Sequence, residues 1–461
     1  MLVKVFLLLF WLMLGAAFSA ETTTPVDDSA LISQLREAAI RLTDATDDYK
    51  PLLNAIGDAN IVLLGEATHG STEFYAERSR ITRRLIEEKG FDALILEAGW
   101  APALPMNDYV QGRAEKPVCA AFSGVKRFPR WTWRNAEFAA TLASLRAMNQ
   151  GVPEHSPRIA VYGMDMYEAP EAIDAVLAYL RQIDPRAARQ ARRDYACFRP
   201  YHRLAFDPQL YGRDLVVGRM PSCQRSVEVR AEKLRQLAAE RQDAASFGAW
   251  MSARSVVGAE AYYRSAYTEG PVLSWNVRER FMLETLRILL NRHRKVVVWA
   301  HNTHIGDSRQ TDQAKTGELA LGQLVREQYG EHASYSLGFS THQGSVRAAS
   351  GWGTANSAQT LLPALVGSWP SLLHETGQDR FLVLFRDNPA MAQLKNEDRL
   401  ERAIGVNYFS AREREDHYFT TRLARRFDAL IHLDQTTAVP SLRAASGLTA
   451  SLLRDGGNGC P

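Results

Sequence analysis

Short apolar runs of strand length recur along the chain, at residues 61–64, 93–96, 159–162, 296–299, 335–338, 381–385 and 429–433. Helical periodicity fills most of the intervals between them, as at 72–89, 136–149 and 170–182. Strands that alternate with helices predict an α/β fold with a mostly parallel central sheet flanked by helices on both faces. An amphipathic helix at 31–42 and a shorter one at 53–56 precede the first strand. Length alone suggests about three domains. Strands spread from residue 61 to residue 433, however, so one sheet recruits the whole chain and a single domain is expected over 21–461. Between 183 and 290 no strand pattern occurs. That stretch is rich in Arg, Ala, Glu and Gln, with helical spacing at 227–241 and 281–290. It reads as a helical insertion that forms a lid or cleft wall.

Composition adds little to this picture, but the amino terminus adds a good deal. The 461 residues are 46% hydrophobic and 23% charged, with a net charge of +3 and no basic block, which argues against a nucleic-acid partner. Residues 1–20 read as a signal peptide: Lys4 supplies the positive start, 5–14 the apolar core, and Gly15 to Ala20 the small residues for cleavage after Ser19 or Ala20. A periplasmic or secreted protein is expected, with no membrane association after processing; the alternative is an uncleaved anchor. Export permits disulfides. The four cysteines contain no C-x-x-C pair, and Cys197 with Cys223 is the expected bridge, leaving Cys119 and Cys460 as a second candidate pair.

Polar residues gather where the apolar runs end. Glu66 and His69 follow the first run, Glu97 the second, Asp165 the third, and His301 and His304 the fourth. In a parallel sheet these ends share one rim, where ligands meet side chains. Arg78 falls on the apolar stripe of the helix after the first strand, with Phe74, Ile81 and Leu85. A buried guanidinium cannot shed its charge, so it needs a carboxylate, and Glu66 and Glu97 are the candidates. Gly65 and Gly70 are expected to allow tight turns on either side of Glu66 and His69. Carboxylates, histidines and an arginine on one rim suit hydrolysis, with His69 as base, Glu66 fixing its tautomer, Glu97 and Arg78 aligning the attacking water, and His301 or His304 donating to the oxyanion. Metal binding by His301 and His304 with His69 and Glu97 is the competing arrangement. Retention of the fold for ligand binding without turnover is a third. No G-x-S-x-G occurs; Ser340, in Gly338-Phe-Ser-Thr-His342, is expected to cap or turn the backbone. Trp131 and Trp133 are candidates to line a cleft for a large ligand, as are Tyr262, Tyr263 and Trp275.

Several of these blocks stand together as a signature: Leu-Gly-Glu-Ala-Thr-His-Gly-Ser-Thr-Glu-Phe-Tyr at 64–75, Lys-Gly-Phe-Asp-Ala-Leu-Ile-Leu-Glu at 89–97, Tyr-Gly-Met-Asp at 162–165, Trp-Asn-Val-Arg at 275–278 and Trp-Ala-His-Asn-Thr-His-Ile-Gly at 299–306, with Phe-Asp-Ala-Leu-Ile at 427–431 closing it. The chain resembles the erythromycin esterase family over about residues 30–440. The resemblance implies hydrolysis of a macrolide lactone by activated water, without a covalent enzyme intermediate. It places the general base on His69, the paired carboxylates on Glu66 and Glu97, the arginine on Arg78 and the second histidine site on His301 and His304. Resistance esterases of the family work in the cytoplasm, so the export signal is a departure that touches erythromycin as substrate more than it touches hydrolysis. The expectation is therefore an exported hydrolase of a small-molecule ester or lactone that needs no metal or other cofactor.

Overall fold

The structure, a computed structural model, describes residues 27–113, 117–153, 158–202 and 208–442. The expected leader and Cys460 lie outside them. The strands are β1 (Ile40–Arg41), β2 (Ile61–Leu64), β3 (Ala93–Gly99), β4 (Ala160–Asp165), β5 (Val296–Trp299), β6 (Ser334–Ala349), β7 (Asn356–Leu361), β8 (Arg380–Leu384), β9 (Arg399–Arg402), β10 (Tyr418–Thr421) and β11 (Ala429–Thr436). Nine of them form one sheet in the order β1-β8-β11-β6-β2-β5-β3-β4, with β7 paired to β6. From β11 to β4 every neighbour is parallel; β8 and β1 add an antiparallel edge. β9 and β10 pair separately.

Alternate residues of each central strand feed opposite faces, as a period of two requires. Val62 and Leu64 of β2, with Val297 and Trp299 of β5, enter one core together with Phe74, Ile81 and Leu85 of the helix Thr72–Lys89 and Phe138 and Leu142 of the helix Ala136–Gln150. Ile61 and Leu63, with Val296 and Val298, enter the other against Met282, Leu286 and Leu289 of the helix Pro271–Leu290. Because both faces are covered, the strands need no polar alternation, and that is why they are legible as apolar runs. The expected fold is observed: a mainly parallel sheet between layers of helices.

The structure also corrects boundaries. The fifth run does not end at 338; β6 continues for 16 residues to Ala349. Its polar extension stays beside β11 as far as Gly344 and from there pairs with β7, where Val346 and Ala348 meet Leu361, Ile404 and Tyr408. Ser340 lies inside this strand and neither caps nor turns it. The first helix is Ser29–Ala38, and the residues after it enter edge strand β1. Gly65 and Gly70 are needed for close approach and not for turning. A Cβ on Gly65 would meet Asn302 Oδ1 at 2.2 Å, and one on Gly70 would meet the Arg347 carbonyl oxygen at 2.0 Å.

Every described element between 183 and 290 is helical. The helix Ala244–Thr268 packs against the helices Gln224–Arg241 and Ala169–Ile183 around an apolar cluster of its own, including Val227, Leu234, Val256 and Tyr263. Cys197 and Cys223 are joined there, with Cα atoms 6.0 Å apart. The second candidate pair involves Cys460 and falls outside the described residues. Among the described residues, no helix is long and apolar enough to cross a membrane.

Candidate active site

Glu66 follows β2 by one glycine and is almost fully buried. One of its oxygens, Oε1, lies 2.8 Å from His69 Nδ1; the other, Oε2, accepts from Arg78 Nη2 at 2.5 Å. Arg78 is fully buried. Its guanidinium lies over the Trp299 and Tyr75 rings, at 4.6 and 4.8 Å, and Nε donates to the Phe74 carbonyl at 3.3 Å. Its carboxylate is therefore Glu66 and not Glu97. Arg78 does not reach the cavity described below, so it does not hold a water there, contrary to the expectation from sequence; it acts on Glu66. A carboxylate only accepts, so His69 donates through Nδ1 and its Nε2 lone pair is free.

A second network lies beside the first. Arg278, on the helix Pro271–Leu290, donates to Asp165 Oδ2 through Nη2 at 2.6 Å and to both Asp165 oxygens through Nε at 3.1 and 3.2 Å. The same Nη2 reaches Glu97 Oε1 at 2.8 Å, and Nη1 lies 3.0 Å from His304 Nε2. His304 is held at its other nitrogen by Glu279, Nδ1 to Oε1 at 2.7 Å, and Nε2 is 3.1 Å from Glu97 Oε1. Its ring stacks on Trp275 at 4.8 Å. Glu97 Oε2 accepts the backbone N–H of His301 at 2.9 Å. Three buried carboxylates thus face one arginine and one histidine, and each charge has a partner.

That pairing sets the charges. Burial opposes ionisation of Glu97, but His304 and Arg278 outweigh it and hold the carboxyl well below its usual value of 4.5. Burial likewise opposes charge on His304, yet Glu279 and Glu97 raise it from 6.5 to about 9. His301 goes the other way. Burial, then the neighbouring His69, pushes it well below 6.5, so it is neutral at pH 7. Its Nδ1 lies 2.9 Å from Thr303 Oγ1 and 3.3 Å from the Thr303 backbone nitrogen. Among the described residues Nε2 is buried and has no hydrogen-bond partner. The rings of His301 and His69 are 4.8 Å apart.

These shifts predict a stability profile. The folded pKa of His304 is raised, so its contribution is complete below about 6.5 and is lost as pH rises through about 9. Glu97 is depressed, so its contribution is complete above about 4.5 and is lost as pH falls toward its lowered value. Melting temperature should therefore be highest between these limits and fall on the alkaline side, and His304→Gln should flatten that alkaline slope. A parent profile that is level from pH 6.5 to 9.5 would contradict the assignment of charge to His304.

Both networks open onto a cavity of about 610 Å³ lined by His69, Glu97, Asp165, Arg278, His301 and His304. Arg127, Tyr167, Glu168, Tyr262, Trp275 and Trp352 line it too, with Trp275 against His304 and Tyr167 against Arg278. Of the two candidate tryptophans, Trp133 lines the cavity and donates through Nε1 to the Glu97 carbonyl at 3.1 Å. Trp131 does not; it packs on Phe128 and faces an adjoining hollow. Asp165 lines the cavity, but its oxygens are engaged by Arg278. Tyr263 is buried and donates to the Tyr167 carbonyl at 2.8 Å. Arg278, Glu279, Arg127 and Glu168 were not singled out from sequence. Arg278 carried a usable signal, because it sits on the buried stripe of its helix with Phe281 and Met282 just as Arg78 sits with Ile81.

Among the described residues, no three His, Cys, Asp or Glu side chains are arranged to hold a metal ion. Both nitrogens of His304 point at protein partners, so the His301–His304 pair does not converge on a common point. These donors do not fit the metal arrangement.

The family model described as erythromycin esterase matches residues 86–436. The match includes Glu97, Asp165, Arg278, His301 and His304 and starts beyond Glu66, His69 and Arg78. An Escherichia coli protein named erythromycin esterase type II is 31% identical over 123 residues, which is 27% of this chain and 27% of that protein. The chain thus matches about a quarter of that curated relative. Three solved structures share the fold. A succinoglycan biosynthesis protein is 20% identical with a TM-score of 0.71, over 91% of this chain and all of that one. A Bacillus cereus protein is 20% identical with a TM-score of 0.72, over 90% of this chain and all of that one. An erythromycin esterase mutant in its open conformation is 14% identical with a TM-score of 0.63, over 90% of this chain and 98% of that one.

Proposed function

The chain belongs to the erythromycin esterase family, a membership that supports a hydrolase, and from that premise we propose that it cleaves carboxylic esters, lactones included, with water activated by His69. The observation that carries this reading is the Glu66–His69 contact of 2.8 Å at the cavity wall, which leaves Nε2 to take a proton. In this account water gives a proton to His69 Nε2 as its oxygen attacks the ester carbonyl. The oxyanion is stabilised at His301, in the tautomer that carries its proton on Nε2, once substrate binding uncovers that buried nitrogen. Collapse of the tetrahedral species breaks the bond to the alcohol oxygen, and His69 returns its proton to that leaving group. Glu66 offsets the imidazolium charge, and Arg78 keeps Glu66 oriented. Glu97, Arg278 and His304 fix the backbone at His301, and with it the direction of the oxyanion donor. A macrolide lactone is one candidate substrate, and the cavity is of ligand size. Export to the periplasm or beyond is part of the proposal and rests on the leader-like residues 1–20.

Incubation with a panel of lactones and esters, followed by mass spectrometry, tests the reading. Products heavier than substrate by one water are expected, at rates unchanged by a chelator. Activity lost on chelation and restored by zinc would instead support the metal-dependent alternative. Binding of panel members without turnover would support a non-catalytic member of the family.

A further inference from the structure

Arg78, Arg278, Arg402 and Arg426 are buried, and each has a carboxylate within hydrogen-bonding distance. Arg127 breaks that pattern. Its guanidinium lies over the Tyr167 ring at 4.7 Å and the Trp352 ring at 5.4 Å, on the wall of the cavity. These ring contacts hold the side chain in place, but a ring face accepts none of its N–H groups in the plane of the guanidinium. Among the described residues it makes no ion pair and no hydrogen bond to a protein acceptor, and none of its nitrogens is among the buried unpaired ones.

The carboxyl group beside it, Glu168, only partly offsets its charge. Glu168 lines the same cavity, its Oε2 is buried without a partner, and the missing Cβ of Gly99 makes the room it occupies. Burial raises its pKa from 4.5 to about 7, even with Arg127 drawing it down. The surroundings extend the positive character. Lys126 also lines the cavity, and Lys126 and Arg130 both line the two hollows that adjoin it; neither forms an ion pair among the described residues. A guanidinium held by aromatic rings, with its donors open to a cavity and unpaired cations beyond it, is arranged for an oxyanion.

We propose that Arg127 binds a negatively charged group of the substrate, so that the preferred substrates are esters that carry a carboxylate or similar oxyanion at a distance from the bond cleaved. The proposal rests on the ester-hydrolase reading and narrows it to a substrate class. The reacting end lies at His69 and His301, and Arg127, which shares the Tyr167 ring with Arg278, holds another part of the same molecule. Lys126 and Arg130 are exposed and contribute a weaker, salt-screened attraction.

The test uses para-nitrophenyl monoesters of dicarboxylic acids of graded chain length, beside the neutral methyl-ended ester and a trimethylammonium-ended ester of each length. At the best-fitting length the anionic ester should exceed its neutral counterpart in kcat/KM by at least about tenfold, the size of one charge-assisted contact. In Arg127→Gln that ratio should fall to about one. A neutral or cationic ester preferred at every length would overturn the proposal. So would an Arg127→Gln variant in which all esters decline together and the ratio survives, since that marks a structural role. Failure of the hydrolase reading is separable. The monoanilides of the same dicarboxylic acids, and their methyl-ended isosteres, are bound without turnover and can be titrated calorimetrically. The anionic anilide should bind at least about tenfold more tightly, and Arg127→Gln should abolish the difference; equal affinities in the parent protein would sink the idea even if no ester were cleaved.

Discussion

His69→Ala should lower kcat/KM by about 10²- to 10⁴-fold, the range set by loss of a general base, and it should do so in a protein that remains folded. The ring sits at the cavity wall, and its removal leaves Glu66 paired with Arg78 behind it. Little buried charge is stranded, so melting temperature should move far less than activity. Steady-state kinetics on an ester from the panel, with a thermal melt of the same preparation, check both halves. Turnover close to that of the parent would put the base elsewhere on the rim.

Arg278→Met should have the opposite signature. The guanidinium holds Asp165 and Glu97 at once, and the side chains of both are almost wholly out of solvent. Removing one partner from a buried ion pair costs about 3–5 kcal/mol, and here two carboxylates lose the same cation while His304 alone remains beside Glu97. A large fall in denaturation midpoint is expected together with loss of activity, because Glu97 also positions the His301 backbone. An Arg278→Met variant that melts with the parent would mean that water reaches these carboxylates and solvates them. The two variants separate chemistry from scaffold: one loses rate alone, the other loses both.

Much of this arrangement was legible in the sequence, for a reason particular to parallel sheets. Strands buried on both faces must be apolar throughout, so β2, β3, β4 and β5 stand out, and their carboxyl ends fall on one rim. Glu66, His69, Glu97, Asp165, His301 and His304 could be placed together without any coordinates. Features that depend on polar strands were lost. The far half of β6 carries Ser, Thr, His and Gln, and β7, β9 and β10 are short or solvated. Pairing choices were lost too. Arg78 could face Glu66 or Glu97 by periodicity alone, and only the placement of its helix over Trp299 decides for Glu66.

The separation of His301 from His304 was beyond the sequence for the same reason. It is made by Glu279 on a distant helix, which holds one ring charged, and by burial beside His69, which leaves the other neutral. Trp131 illustrates the limit of composition. It lies one residue from Thr132 and two from Trp133, which both line the cavity, yet it turns away from that cavity. Glu168 sits just past the end of β4 and Arg127 in the connection between the turns Val118–Phe122 and Arg130–Thr132, and only the cavity brings them together.

The central claim is that water attacks the ester directly, and the most direct measurement is a rapid-mixing experiment with an activated para-nitrophenyl ester, quenched for intact-mass analysis of the protein. A covalent route would be limited by release of the acyl group from such a substrate. The account predicts nitrophenolate released linearly from the first turnover, with the protein mass unchanged. A burst of one nitrophenolate per protein, accompanied by the mass of the acyl group on the chain, would contradict it.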